Sequence, residues 1–458
     1  MATVEPRVLK GFRDYPPSKM IPRRRMLARI EDTFESFGFV PLMTPALEYL
    51  DVLTGKYGDE GENLLYRFRD QGERDVALRY DLTVPLARVV AMNYPDITLP
   101  FRRYQIAPVW RAEKPARGRF REFVQCDADI VGSRSMVADA ELIQLALELL
   151  RGLGIEGFQV RVNNRKVLSG LMEALGVPSG PLEMGILRTI DKLPKIGEEA
   201  TARLLADENG LDPERVARIF SFLGISGSPR EMLERLGTEF GESSPARAGR
   251  DELADVFRIL EGSGETGEVA IDLSIARGLN YYTGTIYEVF LTGLPGFGAV
   301  MAGGRYDGLI GVFKGEEIPA VGISLGIDRL LEGLIEMKLL DEASGVASVL
   351  VTVFDAATAP YAAKAAKDLR SEGIACELYP SEGKLKKQFA LASSRPGLRW
   401  AVVAGPDEVS KQEVKVKDLA SRTEESVPLA GLARYLREKG AGRPGAGDRA
   451  QPPSGSSP

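Results

Sequence analysis

The chain has 458 residues, 44% of them hydrophobic and 27% charged, with a formal net charge of −6. That length predicts about two to four domains, and the modest acidity excludes a binder that works by bulk positive charge while leaving local basic patches open. There is no histidine at all, which removes Ser-His-Asp triads, Cys-His pairs, histidine general bases and His-ligated zinc from the available mechanisms.

What remains for catalysis is arginine, lysine, carboxylates, hydroxyls, backbone amides and the substrates themselves. The two cysteines, Cys126 and Cys376, fall in what read as different domains. Neither a disulfide framework nor a cysteine metal site is expected, and a reducing, cytoplasmic setting fits. Met1-Ala2-Thr3-Val4-Glu5-Pro6 has no basic-then-apolar signal pattern. No apolar run approaches the roughly 20 residues needed to cross a bilayer, so no membrane role is expected.

In chain order, Leu27, Ile30, Phe34 and Phe37 repeat at helical spacing, with Gly38 as the stop. Phe39–Pro45 reads as a strand bounded by prolines. Arg79–Leu86 and Tyr104–Trp110 read as further strands, and Arg119–Ile130 alternates charged and apolar residues as a half-buried strand does. Ser135 is placed to cap a helix whose apolar face carries Leu142, Leu145, Leu149 and Leu150. From about Lys166 to Gly262 short amphipathic helices alternate with Gly/Ser/Pro breaks, and strand patterns return at Glu268–Ile271, Thr285–Leu291 and Ile318–Leu325. Strands on both sides of a helical stretch predict one antiparallel sheet domain interrupted mid-sequence. After Gly345 the pattern becomes strand, helix, strand, helix, strand, ending at Trp400–Val403, which predicts a compact α/β domain. Ala441–Pro458 is rich in Gly, Pro, Ser and Ala and is expected to be disordered.

Four segments could carry chemistry. Arg102–Arg121 holds seven basic residues and one acid. An arginine-laden hairpin can surround a polyphosphate, because the guanidinium fork makes bidentate contacts to phosphate oxygens. The same segment reads equally as a solvated basic hairpin or an RNA-facing patch. Ala276–Gly284 sets Arg277 before Tyr281 and Tyr282, paired on an apparent strand, which suits either a polar pocket or core packing. Ala302–Gly308 has glycines that permit close approach of a ligand or serve a tight turn. Val321–Leu330 is a small-residue strand leading into a helix that presents Arg329 near its start, where an Asp328-Arg329 surface pair is the plainer meaning.

Taken together, in order and wording, these segments resemble the class II aminoacyl-tRNA synthetases, and within them the histidyl-tRNA synthetase family. Lys10–Pro17 resembles the family's opening. Phe37-Gly38-Phe39 through Thr44-Pro45 resembles motif 1, Arg111–Phe123 motif 2, and Gly322–Arg329 motif 3. Arg277-Gly278-Leu279-Asn280-Tyr281-Tyr282 and Gly303-Gly304-Arg305-Tyr306-Asp307-Gly308 resemble the two histidine-specific signatures. The resemblance covers about Pro6 to Lys439. It departs at Asn280, where most members have Asp, and that leaves the position beside Arg277 without a charge.

The resemblance implies an α+β fold: an antiparallel-sheet catalytic domain with a helical insertion, then a C-terminal α/β anticodon-binding domain. The expected boundaries are 1–165 and 263–340 for the two parts of the catalytic domain, 166–262 for the insertion, 346–440 for the anticodon domain and 441–458 for the tail. The implied reaction joins histidine to tRNA(His) through histidyl-adenylate, with ATP and Mg²⁺ as the nucleotide substrate, no prosthetic group and a homodimer as the working form. Arg111 and Arg277 would act on the α-phosphate. Arg119 and Arg329 would hold the outer phosphates, Phe123 would stack on adenine, and Glu113 completes the ATP set. Asp81, Thr83 and Gln125 match positions that bind the α-ammonium, and Asp129, Tyr281 and Tyr282 those around the imidazole. Lys384–Gln388 would face RNA in the C-terminal domain, where Val346–Lys439 has 15 basic residues against 12 acids, a net of +3. The competing family reading is a non-catalytic synthetase paralogue that regulates ATP phosphoribosyltransferase. It generally lacks the anticodon domain and parts of the arginine set, both present in this sequence.

Overall fold

The computed structural model describes residues 4–57, 61–240, 244–276, 281–340, 345–395 and 397–441. Two compact units divide the chain: Met1–Arg13 with Leu27–Leu339, and Asp14–Met26 with Leu340–Pro458. Among the described residues, eleven strands fall in the first: β1 (Val40–Pro41), β2 (Leu47–Tyr49), β3 (Arg67–Arg69), β4 (Asp75–Leu78), β5 (Phe101–Trp110), β6 (Glu122–Val131), β7 (Phe158–Asn164), β8 (Val269–Ile271), β9 (Thr285–Leu291), β10 (Met301–Arg305) and β11 (Ala320–Gly326). Eight of them form one sheet in the order β1-β5-β6-β11-β10-β9-β7-β8, and β2-β4-β3 form a small second one. Pairing in the large sheet is antiparallel except at its two edges, β1 on β5 and β7 on β8.

The longest pairing in the sheet is the hairpin β5–β6, in register from Phe101↔Val131 to Trp110↔Glu122. Cys126, Ala128 and Ile130 are buried on one face of β6, which packs β6 against the helix side of the sheet while the odd-numbered residues point the other way. The helix Met136–Gly152 starts where Ser135 accepts a hydrogen bond from the Val137 N–H, and Leu142, Leu145, Leu149 and Leu150 are buried along it. Each such leucine contributes about 1.5–3 kcal/mol by leaving water. Ile30 and Phe34 are also fully buried, the Phe34 ring lying 5.5 Å from that of Tyr104.

Between β7 and β8 the described residues form a run of helices, from Arg165–Ala174 to Pro245–Gly262. Their starts explain themselves. Asn164, Asp212, Ser228 and Ser244 each accept a backbone N–H at an N-cap, and proline opens the last three helices, where its missing N–H costs nothing.

The second unit holds β12 (Val349–Val351), β13 (Cys376–Leu378), β14 (Trp400–Val403), β15 (Glu413–Asp418) and β16 (Glu424–Pro428) in the order β13-β12-β14-β15-β16. The first three are parallel and joined by the helices Ala359–Ser371 and Leu385–Ser394, as the sequence suggests. The antiparallel β15 and β16 were not anticipated, although Val414 and Val416 alternate with Lys415 and Lys417. Ala441 is buried in this unit's core, and the rest of the expected tail lies outside the described residues.

Three sequence expectations need correction. Arg79–Leu86 is not a strand: the helix Thr83–Asn93 begins inside it, because the Asp81 carboxylate accepts the Val84 N–H at 3.1 Å and caps the turn. Tyr281 and Tyr282 precede β9 and belong to no strand. Gln388 does not face outward. It is fully buried, and its amide bonds both the N–H and the carbonyl of Val353.

Candidate active site

The odd-numbered residues of β6 lie on the open face of the large sheet. Gln125 stands opposite Gly326, Asp127 opposite Ser324 and Asp129 opposite Gly322 on β11. On the other side, Asp129 stands opposite Arg103 of β5. Three polar side chains in a row on a buried strand need partners. The Gln125 amide donates to Ser324 Oγ at 2.6 Å. Asp129 is held by the Tyr306 hydroxyl and by Arg103 at 2.7 Å, with Arg103 fully buried. The absence of a side chain at Gly322 is required here, since a methyl would overlap the Asp129 carboxylate.

Over this face opens a cleft of about 630 Å³, wholly within the first unit. Asp81, Thr83, Arg111, Glu113, Arg119, Phe123, Gln125, Tyr281, Tyr282 and Arg329 all line it. Asp129 lies just beneath, in a cavity of about 20 Å³ that shares Thr83, Tyr282, Ala302 and Ser324 with the cleft wall. Arg277, and Asn280 beside it, lie outside the described residues.

One end of the cleft gathers a buried carboxylate and several tyrosines. Asp81 is 2% exposed and accepts from the Tyr57 hydroxyl at 3.1 Å and the Tyr281 hydroxyl at 3.3 Å. Burial pushes its carboxyl pKa up, against the pull of the Val84 N–H and Arg111. Tyr281 packs edge-on to both Tyr282 and Tyr306, at 5.1 and 5.9 Å. Burial first, then Asp129, pushes the Tyr306 hydroxyl well above its ordinary pKa, so it remains a donor.

The other end is cationic. Arg111 is aligned by its Nε–H on the Tyr80 carbonyl at 3.1 Å, and its guanidinium lies over the Tyr80 and Phe123 rings at 4.3 and 5.2 Å. Between β5 and β6 the turn closes through paired backbone bonds of Ala116 and Arg119, 2.9 and 3.2 Å, with Gly118 at φ +65°. Arg119 stands 3.7 Å from Glu113. Arg329 bonds the Phe297 carbonyl, and a methyl at Gly118 would press on the Phe297 and Arg329 side chains. Arg188, Lys192 and Lys195, from the helices between β7 and β8, add positive charge to the wall.

Such a face can bind an anion chain beside a small zwitterion, with fixed guanidinium groups in place before the ligand arrives. Among the described residues, no three His, Cys, Asp or Glu side chains cluster as an all-protein metal site. A divalent cation here would take its ligands chiefly from bound phosphates.

Three residues of this site were given no role in the sequence reading. Asp127 is 2% exposed, its Oδ1 has no hydrogen-bond partner among the described residues, and burial, only partly offset by Arg103, raises its pKa to about 7. The period-two run Gln125-Cys126-Asp127-Ala128-Asp129 was a legible signal for it. Tyr306 and Arg103 are the others, and their partners are too distant in sequence to be read from spacing. Arg305, beside Tyr306, is structural. It is 2% exposed and ion-paired to Asp139 at the start of the helix Met136–Gly152.

A histidyl-tRNA synthetase family profile matches residues 11–330 and an anticodon-binding-domain profile residues 347–439. A histidine–tRNA ligase of Aeropyrum pernix is 44% identical over 441 residues, covering 95% of this chain and 99% of that one. One of Rhodopirellula baltica is 43% identical over 425 residues, covering 93% and 96%. The crystal structure of a histidyl-tRNA synthetase from Nostoc sp. PCC 7120 superposes with a TM-score of 0.85 at 35% identity, over 95% of this chain and all of that one. With matches of this extent in both units, the chain belongs to the histidyl-tRNA synthetase family.

Proposed function

We propose that the chain is a histidine–tRNA ligase that converts ATP, L-histidine and tRNA(His) into histidyl-tRNA(His), AMP and diphosphate. The observation that carries this reading is the single cleft in which an acid-and-tyrosine end meets an arginine end. In the first step the histidine carboxylate attacks the α-phosphorus of ATP, the bond to the β-phosphate oxygen breaks, and pyrophosphate leaves. Charge develops on the phosphoryl oxygens, so fixed cations are the main need. Arg111 is the described candidate at the α-phosphate, joined by Arg277. Arg119 and Arg329 take the outer phosphates, and Phe123 stacks on adenine. Glu113, in the same wall, is placed for the nucleotide or its Mg²⁺.

Asp81, Thr83 and Gln125 receive the α-ammonium. Asp129 reads an imidazole N–H, with Tyr281 and Tyr282 enclosing the ring. Buried polar partners discriminate strongly, because an isostere that cannot bond leaves them unpaired. In the second step the terminal adenosine hydroxyl of the tRNA attacks the adenylate carbonyl and AMP leaves. With no histidine base in the chain, an adenylate phosphate oxygen accepts the proton.

The basic, exposed Lys384, Lys386 and Lys387 support anticodon-side contact with tRNA. Exposed apolar side chains at the β1 edge and on the small sheet, Val40, Met43, Leu47, Tyr49 and Phe68, support a homodimer. A solution mass of twice the chain's checks that state. The cytoplasm is the proposed location, in keeping with two buried free cysteines. The function is tested by charging purified tRNAs with labelled histidine. Label should enter tRNA(His) alone, and label in no tRNA at all would overturn the proposal.

A further inference from the structure

The segment Lys10–Arg13 lies outside the cleft yet touches both the β5–β6 turn, which brings Arg119 to its cationic end, and the helix that brings Arg329 there. Arg121 donates its backbone N–H to the Gly11 carbonyl at 2.8 Å and its Nη1 to the Lys10 carbonyl at 3.3 Å. Gly11 sits at φ +87°, and a methyl there would press on the Arg121 side chain. The Phe12 ring packs edge-on to Tyr66 at 6.1 Å.

Arg13 then does three things at once. Its guanidinium stacks on the Phe120 ring at 3.6 Å. One nitrogen lies 3.8 Å from Asp328, and another bonds Glu332. Phe120 belongs to the β5–β6 turn, next to Arg119. Asp328 and Glu332 are one turn apart on the helix Ile327–Glu336, which carries Arg329. Asp328 in turn accepts the Val124 N–H at 2.7 Å, directly after Phe123. A planar fork can stack on a ring and pair with two carboxylates together, which a lysine ammonium cannot do. Phe120, Asp328 and Arg329 line the cleft, whereas Arg13 does not.

We propose that Arg13 is a positioning residue that locks the β5–β6 turn to the Arg329 helix, so that Arg119 and Arg329 meet a polyphosphate in one arrangement. The proposal rests on reading the cleft as a nucleotide site. It is tested with Arg13→Ala and Arg13→Lys in histidine-dependent ATP–pyrophosphate exchange, with melting temperature measured alongside. In Arg13→Ala the KM for ATP should rise about tenfold or more, as for the loss of a charge-assisted contact. The KM for histidine should stay within about twofold, and Arg13→Lys should fall between Arg13→Ala and the unsubstituted chain.

An unchanged KM for ATP, or a parallel rise in both KM values with a lowered melting temperature, overturns the positioning role. If Arg13→Ala does not fold, Arg13→Lys carries the same test by the same split. Equilibrium dialysis with ATP separates the two levels of inference. If the unsubstituted chain binds ATP and Arg13→Ala binds it more weakly, the positioning role stands even where histidine-dependent exchange is absent. If the unsubstituted chain does not bind ATP, both the nucleotide reading and the role of Arg13 fail.

Discussion

Asp129 keeps its carboxylate beneath the cleft through two partners, the Tyr306 hydroxyl and the Arg103 guanidinium. Removing the hydroxyl leaves a buried acceptor short of a donor, which costs about 1–3 kcal/mol. Tyr306→Phe should therefore raise the KM for histidine by roughly fivefold or more while leaving that for ATP nearly unchanged; equal changes in both would contradict the role. Asp127 sets a different balance. Its pKa is raised to about 7 in the folded chain, chiefly by burial. An acid with a raised folded pKa binds more protons folded than unfolded, so its stabilising contribution is full at low pH and is lost as pH rises toward 7. Asp127→Asn mimics the protonated form and should gain stability relative to the unsubstituted chain between pH 5 and pH 7, by up to about 1.4 kcal/mol per pH unit. Urea midpoints across that range check this, and a difference independent of pH would refute it.

At the scale of elements, the site is a property of strand alternation. β6 sends Cys126, Ala128 and Ile130 into the core and Gln125, Asp127 and Asp129 to the cleft side. That alternation was readable in the sequence, and so were β9, β14 and the Ser135-capped helix. The Thr83–Asn93 helix was not, because a short run rich in apolar residues fits strand and helix alike and the deciding fact is a cap by Asp81. The glycines of β10 read equally as a turn or a close approach until their neighbours are known, and Gly322 of β11 read only as part of a small-residue strand. At Gly322 the neighbour is Asp129. Gly322→Ala should keep its circular dichroism spectrum but lose histidine-dependent exchange by about 100-fold, roughly 2.7 kcal/mol. Near-normal exchange would show that Asp129 need not sit where it does.

At the scale of the molecule, the order of motifs carried more than any single one. The basic hairpin, the paired tyrosines and the Asp328-Arg329 dipeptide were each ambiguous, and only their succession resembled a family. Tertiary partnerships such as Tyr306 with Asp129, or Arg13 with Phe120 and Glu332, join residues more than 100 positions apart and leave no local pattern. The whole chain also poses a chemical constraint: an enzyme proposed to attach histidine contains none. Arginines, carboxylates and substrate phosphates must therefore suffice for both steps. The most direct measurement is ATP–pyrophosphate exchange with each of the standard amino acids offered singly to the full chain. Exchange with histidine and no other amino acid is the expected result; exchange driven by a different amino acid, or none with any, would contradict the proposed function.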